Sequence, residues 1–234
     1  MTRLRFNTLF GGFLLLLMSA CSTFNDDGRI SEGIIEFEVT YPKLDPNSIL
    51  SELLPTKMTM SFKDNQYTTD FSAGFGMFRM NMISNSDEKK MSQMVKLINE
   101  RFAVNYEVQD VINSIKKRPI IEFEYTDKTK IIAGFECKEV IASVQNDTTE
   151  SYTIYYTNEI RLDHPNWFTE LAEIDGVMLE YQVERYDLCS RFRAIKVLPK
   201  EIDDEIFEIS EAYKVIQEDE MDKKMDEIFN NFSE

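Results

Sequence analysis

From Gly33 onward, apolar and polar residues alternate with a period of two. Ile35, Phe37 and Val39 are interleaved with Glu36, Glu38 and Thr40, the pattern of a strand with one face buried. Asp45 to Leu54 predicts a short helix stopped by Pro55. Met58, Met60 and Phe62 alternate next, and Lys63-Asp64-Asn65-Gln66 predicts a turn into a strand over Tyr67–Phe71. After Gly74 and Gly76, the stretch Met77–Met82 alternates again. Met91–Ile98 and Phe102–Tyr106 extend the meander, although Met91, Met94, Val95 and Ile98 also suit one face of a helix. Val108, Val111, Ile112 and Ile115 follow helical spacing and end at Lys116-Lys117-Arg118-Pro119.

The second half returns to strands: Ile121–Tyr125, Cys137–Val144 and Tyr152–Tyr156, with Asn146-Asp147 as a turn. Pro165–Glu173 predicts a short helix with Asp163 as its cap and Asp175-Gly176 as its stop. Val177–Glu184 and Phe192–Leu198 read as a hairpin-like pair. Met221, Met225, Ile228, Phe229 and Phe232 form an apolar stripe on an acidic C-terminal helix, which docks on its own domain or serves a partner. The expected fold class is α+β: one large, curved antiparallel sheet of roughly eight or more strands with a few covering helices.

The first residues break this pattern. Arg3 and Arg5 precede an apolar run from Leu9 to Leu17, and Met18-Ser19-Ala20-Cys21 follows with small residues at a cleavage site. The run is too short to span roughly 30 Å of hydrocarbon as a mature helix. A cysteine directly after Ser19-Ala20 has the lipobox pattern, in which the thiol is acylated before the signal is cut. An ordinary secretory signal with an incidental cysteine is the alternative. The expected organisation is therefore a lipoprotein signal peptide at 1–20, a polar tether at 21–32, the folded domain at 33–213 and the acidic amphipathic helix at 214–234. A lipid on Cys21 would tether the chain to a membrane of the cell envelope, the outer membrane being the expected one, its periplasmic or surface side open.

Charge and cysteine content narrow the function. The chain carries 42 acidic against 26 basic side chains, a net charge of −16. Removing residues 1–20 takes away two positive charges and no acid, which leaves −18. Such a surface repels nucleic acid. Acid density peaks over Glu201–Glu234, where 13 acids face Lys214, Lys223 and Lys224. Beyond Cys21 there remain Cys137 and Cys189, which an oxidising compartment permits to pair. Closing that loop of about 50 residues would contribute roughly 4 kcal/mol. Two buried, reduced thiols are the other reading.

Candidate chemistry is sparse. His164 is the single histidine and sits beside Asp163 and Pro165, where turn or capping duty is the plain reading. With one histidine and widely spaced cysteines, no zinc-type cluster assembles. There is no nucleophile elbow and no phosphate-cradling glycine loop. Carboxylate pairs such as Glu122/Glu124 follow from the acid content, and Ile121, Phe123 and Tyr125 take the opposite face from that pair. Asp203, Asp204 and Glu205 could meet calcium but lack the glycine-bearing loop spacing. No catalytic residue and no cofactor is expected. Methionines crowd the first half, among them Met58, Met60, Met77, Met80, Met82, Met91 and Met94. They fill a core or, being soft and unbranched, line an adaptable apolar cavity. Asp147-Thr148-Thr149 is similar to a bacterial O-glycosylation acceptor in a turn.

The stretch Thr129-Lys130-Ile131-Ile132-Ala133-Gly134-Phe135-Glu136-Cys137-Lys138 resembles envelope lipoproteins of unknown function whose domain adopts a LolA/LolB-like half-barrel. Gly134 matches their turn glycine and Cys137 their cysteine. Gly176-Val177-Met178-Leu179-Glu180 is similar to a Gly-x-Pro-Leu-Glu step with Met178 in place of proline. Phe207–Tyr213 is similar to a closing Phe-x-Ile-Pro-x-Gly-Tyr with Ser210 and Ala212 replacing proline and glycine. The resemblance spans about residues 33–213 and implies a curved sheet around an apolar cleft that holds acyl chains, with no catalytic residues. The expected protein is thus a lipid-anchored binder of an apolar ligand, a lipid or acyl chain, with Met58, Met60, Met77, Met80 and Met82 as lining. The alternative is a structural or interaction lipoprotein with no small-molecule ligand.

Overall fold

The computed structural model describes residues 28–233 apart from 49–50, 53, 74–75, 146 and 186–187. The export signal, Cys21 and most of the tether expected from the sequence lie outside the described residues, as do three positions of the helix expected at Asp45–Leu54. Twelve strands share one sheet: β1 (Glu32–Thr40), β2 (Lys57–Lys63), β3 (Gln66–Ala73), β4 (Phe78–Asn85), β5 (Lys90–Leu97), β6 (Glu100–Tyr106), β7 (Ile121–Ile132), β8 (Phe135–Val144), β9 (Asp147–Thr157), β10 (Val177–Arg185), β11 (Leu188–Pro199) and β12 (Lys214–Val215). The helices are α1 (Val108–Lys116) and α2 (Glu218–Ser233). The spatial order is β12-β6-β5-β4-β3-β2-β1-β11-β10-β9-β8-β7, a curved, unclosed sheet. Every pairing is antiparallel except that of β12 with β6.

Tight turns fix the registers. Asp64 and Asn65 both take left-handed backbone, at φ 47° and 60°, between β2 and β3. Ala133 and Gly134 do the same between β7 and β8, at φ 50° and 93°. Two consecutive left-handed residues suit the right-handed twist of the paired strands. Asn65 is also tied down from elsewhere, because its side-chain oxygen accepts the Asp163 N–H at 3.0 Å.

Alternation then sorts side chains onto two faces. The inner face carries Ile35, Phe37, Val39, Met58, Met60, Phe62 and Tyr67, all buried. Three pieces of the chain cover it. Segment 160–176 contributes Leu162, Trp167 and Phe168 to the central cluster, and α1 contributes Val111 and Ile115. Leu171 and Ile174 pack with Val140, Ala142, Ile154 and Met178 nearer β7. At the other end, Met221 and Met225 of α2 pack with Val95, Val104 and Ile216. The side chains of Ile228, Phe229 and Phe232 in the expected stripe lie outside the described residues. The helix starts at Glu218, because Lys214 and Val215 are drawn out to pair with Phe102 and Ala103.

Two expectations change. The helical option over Met91–Ile98 gives way to β5, since residues 91–97 pair along their length with Phe102–Tyr106 and with the facing β4 residues. A helix there would leave two strand edges unpaired. Pro165–Glu173 is not a helix but a succession of turns. Asn166 donates from its amide to the carbonyls of Ile174 at 2.7 Å and Gly176 at 3.1 Å. The Thr169 hydroxyl donates to Asn166 O at 2.9 Å and accepts from Leu171 N–H at 3.1 Å. These side chains satisfy backbone groups that a helix would have paired, which makes the turns the better solution.

Candidate functional site

The outer face of the sheet carries the polar chemistry, in two places. Across β7 to β11, Glu180 is buried with its carboxylate between cations: Lys130 Nζ at 2.6 Å, Arg191 hydrogen-bonded, and Arg193 Nε at 4.0 Å. Burial pushes the Glu180 pKa up, but the hydrogen bonds and charges of Lys130 and Arg191 outweigh it, and the carboxyl sits below the usual range. Next to it, Glu139 accepts from Tyr155 OH at 2.7 Å and Thr126 Oγ1 at 3.1 Å, with Lys128 Nζ at 3.2 Å. The Tyr155 hydrogen bond, reinforced by Lys128, holds this carboxyl low as well. Lys130 joins the two groups, its ammonium lying 4.6 Å from the Tyr155 ring centre. Both acids are ionised and saturated by partners. Neither has the raised pKa of a carboxyl poised to give up a proton near neutral pH.

The second place spans β3 to β6 on the same face. Ser72 faces Arg79, Arg79 faces Lys96, and Lys96 faces Arg101 in consecutive registers. Three cations thus stand directly opposite one another on adjacent strands. Asp70 accepts both Nε, at 3.0 Å, and a terminal nitrogen of Arg79. Lys96 donates to Gly76 O at 2.9 Å, a neutral partner. Segment 207–213 runs over this part of the face, its Phe207, Ile209 and Tyr213 packing on Ile83, Met94 and Ala103. Between that segment and the cations is a cavity of about 610 Å³, lined also by Ser72, Gly76, Ser210, Ala212 and Tyr213.

The residues singled out from the sequence are scattered around these places. Met58 and Met60 are buried in the inner-face core, Met80 and Met82 are half-buried on the same face, and Met77 is 54% exposed, outside the strands. Cys137 on β8 and Cys189 on β11 are both buried, and no disulfide joins them. The pairing that an oxidising compartment would permit needs the two positions side by side, whereas β9 and β10 lie between them. Three strand spacings alone amount to about 14 Å, twice what a disulfide allows. Burial raises the Cys137 thiol to about 11, so it stays protonated and unreactive. His164 takes left-handed backbone at φ 49°, with both its N–H and its Nδ1 3.2 Å from Asp175 Oδ1, which is turn duty. Glu122 and Glu124 are exposed on β7. Asp203 caps a 3-10 turn by accepting the Glu205 N–H, and Asp204 pairs with Lys63 at 2.6 Å. No group of three metal-ligating side chains occurs among the described residues. Asp147–Thr149 belong to β9 by backbone rather than to a turn, and their side chains lie outside what is described.

Sequence reasoning passed over Arg79, Lys96 and Arg101, and the Glu180–Lys130 pair. Each occupies an ordinary polar position of an alternating strand. Only the register shows that three cations form a row, or that residues 50 apart meet. Compared with known proteins, the chain matches no protein-family profile and no curated protein.

Proposed function

We propose that the chain is an envelope lipoprotein of the interaction class, held to a membrane by acyl chains on Cys21 and presenting the polar outer face of its sheet. The observation that carries this reading is the filled inner face. Phe168 and Trp167, Val111 of α1, and Met221 and Met225 of α2 occupy the surface against which an acyl chain would lie. The anchor is supported by Ser19-Ala20-Cys21 behind an apolar run, and among the described residues no helix is long and apolar enough to cross a membrane. Changing Cys21→Ser tests the anchor. The variant is expected to stall uncleaved or to become soluble, read by fractionation with mass analysis of the mature N-terminus. A variant that is cleaved normally and stays membrane-bound would sink the anchor. Crosslinking with and without residues 214–234 tests the interaction: partners kept on truncation are expected for contact through the outer face, and loss of partners on truncation would assign the contact to the acidic tail instead.

A second reading, an apolar ligand such as a lipid or acyl chain in the sheet, draws support from Met80, Met82 and Met91, which pack only half-buried beside the inner-face core. A chain would enter there by displacing α2. Native mass spectrometry with lipid extraction decides it, and protein purified from membranes with no co-purifying lipid rules it out.

A further inference from the structure

A row of like charges across adjacent strands is an unfavourable arrangement, because directly opposed side chains have Cβ atoms only about 5 Å apart. A chain with 42 acids has ample means to neutralise such a row, yet Asp70 is the one carboxylate that lines the cavity beside Arg79, Lys96 and Arg101. Arg101 is exposed and has no ion-pair partner among the described residues, and Lys96 leans on a carbonyl. The cavity wall therefore keeps about two uncompensated positive charges in a protein of net charge −16. The surrounding residues are of matching kind: Ser72, Ser210 and Tyr213, each carrying a hydroxyl, line the same space.

We propose that this cavity binds a phosphate-bearing ligand, its oxyanion held by Arg79, Lys96 and Arg101 and the Ser72, Ser210 and Tyr213 hydroxyls. Two excess positive charges match a phosphate dianion better than a lone carboxylate. Guanidinium forks supply paired N–H donors to its oxygens. A volume of about 610 Å³ lies in the range of small-molecule sites and leaves room for an organic group beyond the phosphate. Ala212, which lines the same space, offers that group an apolar contact.

The test uses the full-length protein in detergent. Inorganic phosphate and glycerol 3-phosphate are titrated by calorimetry at constant ionic strength, with chloride as the control anion. Titration with detergent micelles containing phosphatidylcholine, with and without phosphatidic acid, forms the second arm. Saturable binding of the soluble phosphates assigns a free ligand, and binding only to micelles that contain phosphatidic acid assigns a lipid headgroup; both uphold the proposal. Arg101→Gln and Lys96→Gln each remove a charge-assisted bond and are expected to weaken binding about tenfold. Lys196→Gln, an exposed position on β11 with the same change in charge, is expected to bind like wild type. Arg101 makes no ion pair among the described residues, so its variant keeps its melting temperature. Absence of saturable binding in both arms overturns the proposal, and so does binding that Arg101→Gln and Lys96→Gln leave unchanged.

Discussion

Replacing Glu180 by leucine is expected to be among the costliest single changes to the sheet, and the cost can be worked from exposure. The Glu180 side chain is 3% exposed, whereas Lys130, Arg191 and Arg193 are 35%, 50% and 56% exposed. Removing one member of a buried ion pair typically costs about 3–5 kcal/mol, mostly through the charge left behind. Here the charges left behind are the cations, and they can turn to water, which places the cost at the lower end, about 3 kcal/mol. For a domain of this size that is a fall of about 6–12 °C in melting temperature. Lys130→Met is the asymmetric counterpart. It leaves Glu180 paired with Arg191, so about 1 kcal/mol is expected. The pH dependence has a definite sign. The folded pKa of Glu180 lies below its unfolded value of about 4.3, so the contribution is present above that pH and lost as pH falls through the folded value. Glu180→Leu should accordingly flatten part of the acid limb of the stability curve, while Glu139 and Glu170, also held low, keep the rest. Urea unfolding at neutral and acid pH reads both effects. A Glu180→Leu cost under about 1 kcal/mol, or a Lys130→Met cost equal to it, would refute the reasoning.

Other positions make independent tests. On α2, Glu218 and Asp222 have raised pKa values, through burial first and then through Asp110, Asp219 and Asp226 nearby, so their penalty is present at neutral pH and fades as pH falls through the raised values. Asp222→Asn should therefore slow proteolytic clipping of α2 at pH 7 but not in mild acid, and equal rates at pH 7 count against this. Ile98, between β5 and β6, holds left-handed backbone at φ 54° while 60% exposed. Ile98→Gly should raise stability by about 1 kcal/mol in thermal unfolding, because a β-branched residue is strained there; a loss would mean its contacts outweigh the strain. At Gly176 a Cβ would come within 2.6 Å of the Tyr156 ring and 2.9 Å of Thr157 O. Gly176→Ala should cost about 1–3 kcal/mol by denaturant titration, and a neutral result would mean the β9–β10 contact is looser than described.

The limits of the sequence follow from the same geometry. Period-two alternation identified the strands around Ile35, Met60 and Tyr67, since burial of one face imposes that pattern whatever the neighbours are. It could not decide Met91–Ile98, where Met91, Met94 and Val95 satisfy both periods. The decision came from β4 and β6, which lie on either side and offer backbone partners to β5. Pro165–Glu173 failed in a different way. Asn166 and Thr169 are weak helix formers that capture local backbone groups, and their partners at Ile174 and Gly176 are fixed by docking on the sheet. The cysteine pairing required strand order, which nothing local encodes: Cys137 and Cys189 both read as strand residues, and only the placement of β9 and β10 between them separates the thiols.

Order and register also govern the outer face. Ser72, Arg79, Lys96 and Arg101 sit on four successive strands, each as an unremarkable polar residue. A one-residue slip in any of the three hairpins would turn a cation to the inner face. Opposed registers bring them into one line, and the left-handed Ile98 closes the β5–β6 hairpin that sets Lys96 against Arg101. The Ile98 N–H reaches back to Met77 O at 2.6 Å, and Lys96 reaches to Gly76 O, so the same turn is pinned from two sides. Strain at Ile98 and repulsion along the row are both costs that the fold carries at one end of one hairpin. A sheet selected for stability alone would have placed an acid at Lys96 or Arg101 and a glycine or asparagine at Ile98. That both exceptions meet beside the same cavity is the physical reason for assigning it a negatively charged occupant.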